Sequence, residues 1–346
     1  FPEAMQSLQI VFAALAVLSL LYGGFVALGQ TDLKKLVAYS SVNHMGFVLL
    51  GIASLTAKDE RQRMGLGSFK ALGATYALAK EAVAMGGDPG TALAGRTYVT
   101  ASAGNHGMSV AAGAAAFGAL ARVFIAETVP ESFAERLRAE GAEVVRAGAA
   151  YEDSMDAAMK NAAKTGAELL SDSSWPGYTT RPHVLMEGYL IAMAEVSEQI
   201  DTPPSHIFVQ AGVGGLAAAV AAHARLLWGD APVIAVVEPD AAPALARSIK
   251  EGRAVKADGP VSIMGRLDCK EPSLIALKGL ARDADHFITI SEGEAASGTA
   301  QAKDADLAST PSGAAGIAAL LAATDMRDAL ALTPQSRVLT FLSEAA

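Results

Sequence analysis

The stretch HIFVQAGVGGLAAAVAAH, residues 206–223, decides the fold of this chain. Its first six residues are typical of a buried strand, which passes through Gly212, Gly214 and Gly215 directly into a helix of small residues. Five further runs have the same buried-strand character: 98–102, 122–127, 143–147, 233–238 and 337–342. Segments typical of helices alternate with these runs, at 107–120, 131–140, 152–165, 184–199 and 215–227. Such alternation predicts an α/β protein with parallel sheets flanked by helices.

The composition of the 346 residues excludes several classes of protein. Acidic residues outnumber basic ones, 36 to 27, and no basic cluster is present that would neutralise the phosphates of a nucleic acid. The single cysteine, Cys269, excludes a disulfide framework and a paired-cysteine zinc or redox site, and no metal site is predicted. A hydrophobic share of 51% excludes intrinsic disorder.

The first 57 residues differ from the rest of the chain. Residues 4–31 and 36–57 contain no Asp, Glu, Lys or Arg, and each run exceeds the roughly 20 residues that span a bilayer. The first run lacks the basic start that a signal peptide has. The sequence therefore predicts two transmembrane-like helices in residues 1–57, followed by a soluble α/β region in residues 58–346.

The segment ALGQTDLKKLVAYSSVNHMGFVLLGI, residues 27–52, resembles subunit M of the proton-pumping NADH:quinone oxidoreductase. The resemblance implies that Lys34 takes the position of a lysine on the proton path of that family. The alternative is that Lys34 and Lys35 reach to a lipid headgroup surface. Two helices cannot form a proton channel, so this segment indicates a route to membrane attachment rather than a pump.

Three motifs in the soluble region carry candidate chemistry. GLGSFKALGATYAL, residues 65–78, places Lys70 where a glycine-rich loop enters a helix. TASAGNHGMSVAAGAAA, residues 100–116, places Ser102, Asn105 and His106 at the carboxyl end of a strand, where open α/β sheets bind ligands. Turn and helix-capping roles are the alternative for these three residues. The third motif is the glycine loop 212–215, whose backbone N–H groups at a helix N-terminus suit a phosphate.

Two cofactor hypotheses fit these motifs to different extents. Glu238 ends the next strand 23 residues after Gly215, where a ribose-binding acid would lie in a nicotinamide-dinucleotide fold. That hypothesis leaves Lys70 and Asn105 without a role. A phosphate-bearing aldehyde uses all three motifs, because the glycine loop holds its phosphate, Lys70 bonds to its aldehyde and Asn105 contacts its ring hydroxyl.

The soluble region resembles diaminopropionate ammonia-lyase and its relatives. Six stretches carry the resemblance, and they occur in the same order as in that family. They are KDERQRMGLGSFKALGATYAL (58–78), SAGNHG (102–107), SDSSWPGYTTRPHVLMEGY (171–189), QAGVGGLAAAV (210–220), VVEPD (236–240) and MGRLDCKEPS (264–273). These relatives are fold-type II pyridoxal-phosphate enzymes, the class of threonine dehydratase and the tryptophan synthase β subunit. The resemblance implies pyridoxal 5′-phosphate as cofactor, a small amino acid as substrate, two interleaved α/β subdomains, a homodimer and a cytoplasmic lyase region.

The resemblance also implies a role for each matching residue. Lys70 takes the place of the lysine that bonds to the cofactor, and Asp172 that of a carboxylate beside the substrate amine. Ser343 is a candidate partner of the pyridine nitrogen. The remaining positions match residues that face the cofactor hydroxyl (Asn105), cradle the phosphate (Gly212, Val213, Gly214 and Gly215) and receive the substrate carboxylate (Ser102, Gly104 and His106).

Two departures from the family pattern affect what is expected of this chain. Ala103 stands where the ammonia-lyase has an aspartate that acts on the second stereoisomer of the substrate. Relatives carry further residues before KDE, including an early strand, so the resemblance implies a lyase shortened at its N-terminus and preceded by the two membrane-type helices. The leading prediction is α,β-elimination of 2,3-diaminopropionate to pyruvate and ammonia. The alternatives are a dehydratase-like enzyme acting on serine or threonine, and a non-catalytic hybrid.

Overall fold

A computed structural model describes residues 52–346. In chain order its strands are β1 (Ser54–Asp59), β2 (Thr97–Ala101), β3 (Leu120–Ile125), β4 (Glu143–Arg146), β5 (Glu168–Leu169), β6 (His206–Gln210), β7 (Val233–Pro239), β8 (His286–Ile290) and β9 (Arg337–Leu342). All six strands expected from the sequence are present, with ends shifted by two residues or fewer. The sequence did not predict β1, β5 or β8. The two membrane-type helices expected before residue 57 lie almost wholly outside the described residues.

Ten α-helices alternate with the strands in the described chain. They are α1 (Lys70–Met85), α2 (Asn105–Ala116), α3 (Glu131–Ala139), α4 (Tyr151–Thr165), α5 (Thr180–Gln199), α6 (Gly215–Trp228), α7 (Ala244–Glu251), α8 (Leu274–Asp283), α9 (Glu292–Asp304) and α10 (Ala315–Ala322). Short 3-10 turns lie at Arg63–Gly65, Pro89–Thr91 and Ala323–Met326. Within residues 52–346, no helix combines the length and the apolar character that crossing a bilayer requires.

The strands form two separate sheets, and every strand pair in them is parallel. The first sheet has five strands in the order β1-β9-β6-β7-β8, and the second has four in the order β4-β3-β2-β5. Parallel neighbours need long crossover connections, which the helices supply. The whole second sheet lies in the chain between β1 and β6 of the first.

The central strands are buried, which explains why they are apolar without alternation. All five residues of β6 are buried, as are the last six of β7. Tyr98, Tyr189, Phe208 and Phe341 are the largest of the fully enclosed side chains. Because β6 and β7 are buried on both faces, they belong to the core of the protein, and packing in this core holds the ends of the strands in place.

Helices α1 and α5 pack with their backbones in close contact. A Cβ atom at Gly188 would lie 2.3 Å from the carbonyl oxygen of Leu72, so only glycine permits this approach. A Cβ atom at Gly73 would lie 2.6 Å from Cε1 of Tyr189. This packing fixes Lys70, the first residue of α1, against the ring of Tyr189.

Strand β1 is held by a cluster of charged side chains at its carboxyl end. Lys58 donates to Glu195 of α5 at 2.6 Å, and Arg63 donates to both Glu60 and Glu195. Glu60 is fully buried, so its pairing with Arg63 offsets the cost of removing a charge from water. Residues 54–57, which the sequence analysis assigned to the first segment, form the amino-terminal part of this same strand.

Candidate functional site

The candidate site lies at the carboxyl ends of β1 and β9, where the segments that follow these two strands meet. Because these two strands are neighbours, the loop before α1 runs beside residues 343–345. The N–H of Phe69 donates to the carbonyl of Ser343 at 3.0 Å, and the N–H of Ala345 donates to the carbonyl of Gly67 at 2.9 Å. Lys70 is therefore brought to the residues that end β9.

Lys70 and Asp172 form an ion pair at this place. The Lys70 Nζ donates to Oδ2 of Asp172, and the two side chains are 22% and 18% exposed. The rings of Phe69 and Tyr189 flank the Lys70 nitrogen, with centroids 5.3 and 5.9 Å away. The structure thus joins two residues that lie 102 positions apart and that the sequence analysis selected separately.

The pair keeps both groups charged. Burial lowers the pKa of Lys70, but the charge of Asp172, smaller contributions from Tyr189 and Cys269, and the hydrogen bond of Lys70 to Asp172 together outweigh burial and raise this pKa above its ordinary value. Burial alone raises the pKa of Asp172, but Lys70, with a smaller contribution from His106, lowers it below its ordinary value. Lys70 is therefore an ammonium at neutral pH for as long as Asp172 remains its partner.

The glycine loop between β6 and α6 faces this pair through Tyr189. A Cβ atom at Gly215 would lie 3.4 Å from the Tyr189 ring. Gly214 has φ +100°, a conformation that L side chains rarely adopt, and helix α6 begins at the next residue. The first N–H groups of α6 have no partner within the helix, so they are free to bind an anion. Gly212 packs against the half-buried Cys269, and loss of water around the thiol raises its pKa to about 11.

Ser343, at the end of β9, contacts Gln210, at the end of β6. Nε2 of Gln210 lies 3.1 Å from the Ser343 hydroxyl oxygen and also faces the carbonyls of Gly313 and Phe341, at 2.9 and 3.0 Å. Carbonyls only accept, so the atom that faces them is the amide nitrogen. That nitrogen cannot accept the Ser343 proton, and within residues 52–346 no other side-chain hydrogen bond involves this hydroxyl. Its proton is therefore available to a ligand.

Asn105 lies at the start of α2, as the motif predicted, and donates its side-chain amide to Glu344. Glu344 also accepts the hydroxyl of Thr310 and is only 5% exposed. Sequence reasoning missed both Glu344 and Thr310. The one available signal was a carboxylate two residues after the buried strand that ends at Leu342.

The three residues expected to receive a substrate carboxylate occupy different environments. The hydroxyl of Ser102 accepts the N–H of Gly104 at 3.2 Å. His106 is 5% exposed, and its Nε2 lies 2.9 Å from the carbonyl oxygen of Leu170. Burial lowers the pKa of His106, so its ring is neutral at neutral pH. Its other ring nitrogen, Nδ1, is buried and has no hydrogen-bond partner within residues 52–346, and the ring is close enough to Asp172 to affect the pKa of that carboxylate.

Glu238, the acid that a nicotinamide site would need, has another function in this fold. It is fully buried and accepts the N–H groups of Leu245 and Ala246, both at 2.8 Å, at the start of α7. Burial, opposed by these two bonds, raises its pKa to about 7. The carboxylate that would bind a ribose is thus already used to cap a helix.

The residues that are brought together fit a phosphorylated aldehyde. A lysine nitrogen can bond to an aldehyde, a glycine loop at a helix N-terminus binds phosphate, and the Ser343 proton has no acceptor in the described chain. The buried hydroxyl of Tyr189, beside Lys70 and Gly215, also has no hydrogen-bond partner within residues 52–346, which is expected at a ligand site. Two parallel sheets with this lysine and loop at their carboxyl ends define an α/β enzyme that holds such a cofactor.

Comparison with known proteins identifies the family. The model of the pyridoxal-phosphate-dependent enzymes matches residues 28–344. The chain is 32% identical over 271 residues to a diaminopropionate ammonia-lyase of Salmonella typhimurium, covering 72% of this chain and 67% of that protein. The chain therefore belongs to the family of pyridoxal-phosphate-dependent enzymes, and its cofactor is pyridoxal phosphate.

A solved structure supports the same conclusion about the fold. The crystal structure of diaminopropionate ammonia-lyase from Escherichia coli, in complex with an aminoacrylate–pyridoxal-phosphate azomethine intermediate, superposes with a TM-score of 0.79 at 29% identity. The match covers 86% of this chain and 81% of that one. An L-threonine ammonia-lyase of Thermotoga maritima is 27% identical over 234 residues, covering 67% of this chain and 56% of that enzyme. The fold-type II architecture expected from the sequence is confirmed.

The N-terminal segment matches a different kind of protein. A chain 4 of the NAD(P)H-quinone oxidoreductase of Microcystis aeruginosa is 51% identical over 55 residues, which is 16% of this chain and 10% of that protein. The similarity to a respiratory subunit is thus confined to a short fragment. The homodimer implied by the sequence resemblance involves a second chain and stays a prediction.

Proposed function

We propose that this chain is an ammonia-lyase that converts 2,3-diaminopropionate to pyruvate and ammonia. The observation that carries the proposal is the ion pair of Lys70 and Asp172, beside the glycine loop. In this ion pair, an amine that can bond to the cofactor directly contacts a carboxylate that can bind a substrate ammonium. The identity of 29–32% to diaminopropionate ammonia-lyases supports the same substrate.

In this proposal each group of the site has a task. The N–H groups after Gly214 bind the phosphate, Ser343 donates its proton to the pyridine nitrogen, and Asn105 contacts the ring hydroxyl. When bound, pyridoxal phosphate withdraws electrons from the α-carbon of an amino acid. Lys70 holds the cofactor and then takes the proton that leaves the α-carbon.

The ion pair also explains how a diamine would be preferred. A lysine removes a proton only when it is neutral, and Asp172 keeps the pKa of Lys70 raised. A second ammonium on the substrate would pair with Asp172 and weaken its hold on Lys70. Binding of the diamine would thereby generate the base, whereas a β-hydroxyl group would leave Asp172 unneutralised.

Serine or threonine elimination is the second candidate, and Ala103 favours it. This position holds a small, half-buried side chain packed against the core in place of the aspartate expected from the family pattern. Without that carboxylate we expect the D-isomer of diaminopropionate to be inert. The similarity to an L-threonine ammonia-lyase also supports this candidate.

The experiment compares keto-acid release by the full chain from L- and D-diaminopropionate, L-serine and L-threonine, with the Lys70→Ala variant as the control. The proposal predicts that L-diaminopropionate gives the highest kcat/KM and that the variant is inactive on all four. A higher kcat/KM for L-serine or L-threonine would assign the dehydratase function instead. A wild-type chain that binds the cofactor and releases no keto acid would support the non-catalytic hybrid.

We also propose that residues 1–51 attach the chain to a membrane, while the lyase region, which begins with β1, stays on the cytoplasmic side. The two uncharged runs and the 55-residue similarity to a respiratory subunit support this. Cell fractionation compares the full chain with a chain that lacks residues 1–51. The full chain should sediment with membranes and dissolve in detergent, and the shortened chain should not. Full recovery of the full chain in the soluble fraction would contradict the attachment.

A further inference from the structure

The loop expected to receive the substrate carboxylate contains no positive charge of its own. Gly104 has no side chain, and the Ser102 hydroxyl already accepts the N–H of Gly104. His106 is 5% exposed with Nε2 on the carbonyl of Leu170, and burial lowers the pKa of its ring, so the ring is neutral. A carboxylate bound there would lack the cation that normally offsets its loss of water.

Arg266 supplies a cation at this loop. A Cβ atom at Gly104 would lie 2.6 Å from Nη1 of Arg266, so the guanidinium rests on the loop backbone itself. The Arg266 backbone is anchored by its N–H, which donates to the Ser312 hydroxyl at 3.0 Å. The guanidinium carbon lies 5.9 Å from the centroid of the Phe133 ring. The side chain is 44% exposed, so a ligand can reach it.

The donors of this guanidinium are unused in the part of the chain that the structure describes. Its nearest carboxylate is Glu344, with Nε and Oε2 3.8 Å apart, which is an ion-pair contact beyond hydrogen-bond distance. Glu344 instead accepts the side chains of Asn105 and Thr310. Arg266 therefore presents five N–H donors in a planar fork that matches a carboxylate.

We propose that Arg266 binds the α-carboxylate of the amino-acid substrate, together with the backbone of the Ser102–Gly104 loop. This inference rests on the proposed function, since it concerns how the same site recognises an amino acid. Arg266 makes the site selective for ligands with a free carboxylate over their neutral amides. Glu344 attracts the guanidinium and so restricts its position, but it accepts no hydrogen bond from the N–H groups of Arg266.

The test measures how tightly the cofactor-loaded full chain binds L-serine and L-serinamide, which differ only in the carboxylate. Binding is followed by the change in cofactor absorbance, which does not depend on turnover. Arg266→Gln should weaken the binding of L-serine by about 10- to 100-fold, because hydrogen bonds to a charged group contribute roughly 1.5–3 kcal/mol. The same variant should change the binding of L-serinamide less than about threefold.

Two further variants keep the test decisive. Arg266→Lys retains the charge and loses the fork, so it should weaken L-serine binding by about three- to tenfold even if Arg266→Gln does not fold. Arg337→Gln changes an exposed arginine at the opposite, amino end of β9, whose guanidinium donates to Pro203, and should leave both ligands unaffected. Equal effects on acid and amide, or none on either, would overturn the role of Arg266. A wild-type chain that keeps its cofactor and responds to neither ligand would overturn the proposed function as well.

Discussion

Asp172 has one strong partner in the described chain, and that partner is the lysine proposed to hold the cofactor. A carboxylate this enclosed needs a cation, since an unpaired buried charge costs about 3–5 kcal/mol. When the Lys70 nitrogen is bonded elsewhere, a substrate ammonium can take its place. Because a substrate ammonium can replace Lys70 as the partner of Asp172, we expect the substrate to be a diamine.

The exchange predicts the effect of Asp172→Asn. The kcat/KM for L-diaminopropionate should fall by about two to three orders of magnitude, since each 1.36 kcal/mol of lost pairing is tenfold in rate. The loss for L-serine should stay within about tenfold, because a hydroxyl needs no charged partner. Without the carboxylate the pKa of Lys70 falls, so the acid limb of the pH–rate profile for L-serine should move to lower pH. Equal losses on both substrates would show that Asp172 is structural.

Gln210 connects the ends of β6 and β9 and holds Ser343 in place. It is 2% exposed, and its amide satisfies the carbonyls of Gly313 and Phe341. Gln210→Leu should lower the free energy of unfolding by about 1–3 kcal/mol, because the carbonyls of Gly313 and Phe341 lose the buried amide donor, although Gly313 keeps the N–H of Ser343 at 3.2 Å. Ser343→Ala removes a single contact and should cost about 1 kcal/mol. Urea denaturation of the cofactor-free chain measures both, and equal costs would refute the proposed importance of the amide.

At the scale of elements, the turn from β6 into α6 combines a left-handed backbone conformation at Gly214 with the proposed phosphate site. Gly214→Ala places a side chain at φ +100° and 3.1 Å from Cβ of Ala276. We expect the affinity for pyridoxal phosphate to fall by about tenfold or more, since moving these N–H groups loses at least one charge-assisted hydrogen bond. The strain itself should lower the free energy of unfolding by about 1–2 kcal/mol.

Gly229 provides the matched control at the other end of α6. It has φ +57° and no atom within 4 Å of a built Cβ, so Gly229→Ala adds comparable backbone strain away from the loop. Its cost in unfolding free energy should resemble that of Gly214→Ala, while its cofactor affinity should equal that of the wild type. Reduced affinity in both variants would mean that the effect arises from α6 as a whole and not from the loop.

The elements also show which parts of the fold the sequence could predict. Long apolar runs such as 206–211 and 337–342 were recognised because central parallel strands are buried on both faces. β5 escaped recognition because two residues, Glu168 and Leu169, carry no pattern and become a strand only by pairing with β2. β1 was missed because it ends in Lys58 and Asp59, charges that an apolar pattern excludes but that Glu195 and Arg61 balance in the structure.

For the site, local motifs predicted the residues that lie in glycine-rich loops. Lys70, Asn105 and the 212–215 loop each follow from a strand or loop that runs into a helix. Glu344 and Gln210 could not be found in this way, because they reach the site only through the pairing of β1, β9 and β6. Arg266 could not be found either, because it reaches the loop at Gly104 from the distant segment between α7 and α8. The resemblance assigned His106 to the loop that receives the substrate carboxylate, and that role stays a prediction. The structure shows its Nε2 facing the carbonyl of Leu170, a contact that no local pattern indicates.

At the scale of the whole molecule, the proposed site contains residues that follow strands of both sheets. The first sheet supplies the glycine loop, Ser343 and Glu344, and the second supplies the segments after β2 and β5 with Asn105 and Asp172. Lys70 lies between them at the start of α1. Both sheets are therefore needed to assemble the proposed cofactor site.

The most direct test reduces the cofactor-loaded full chain with borohydride and locates the pyridoxyl group by peptide mass mapping. The account predicts a phosphopyridoxyl group on Lys70 alone in the wild type and none in Lys70→Ala. Exposed lysines such as Lys80, half of whose side chain is open to solvent, should remain unlabelled at stoichiometric cofactor. An unmodified Lys70, or equal labelling of surface lysines in both chains, would contradict the central claim that Lys70 is the residue that binds pyridoxal phosphate.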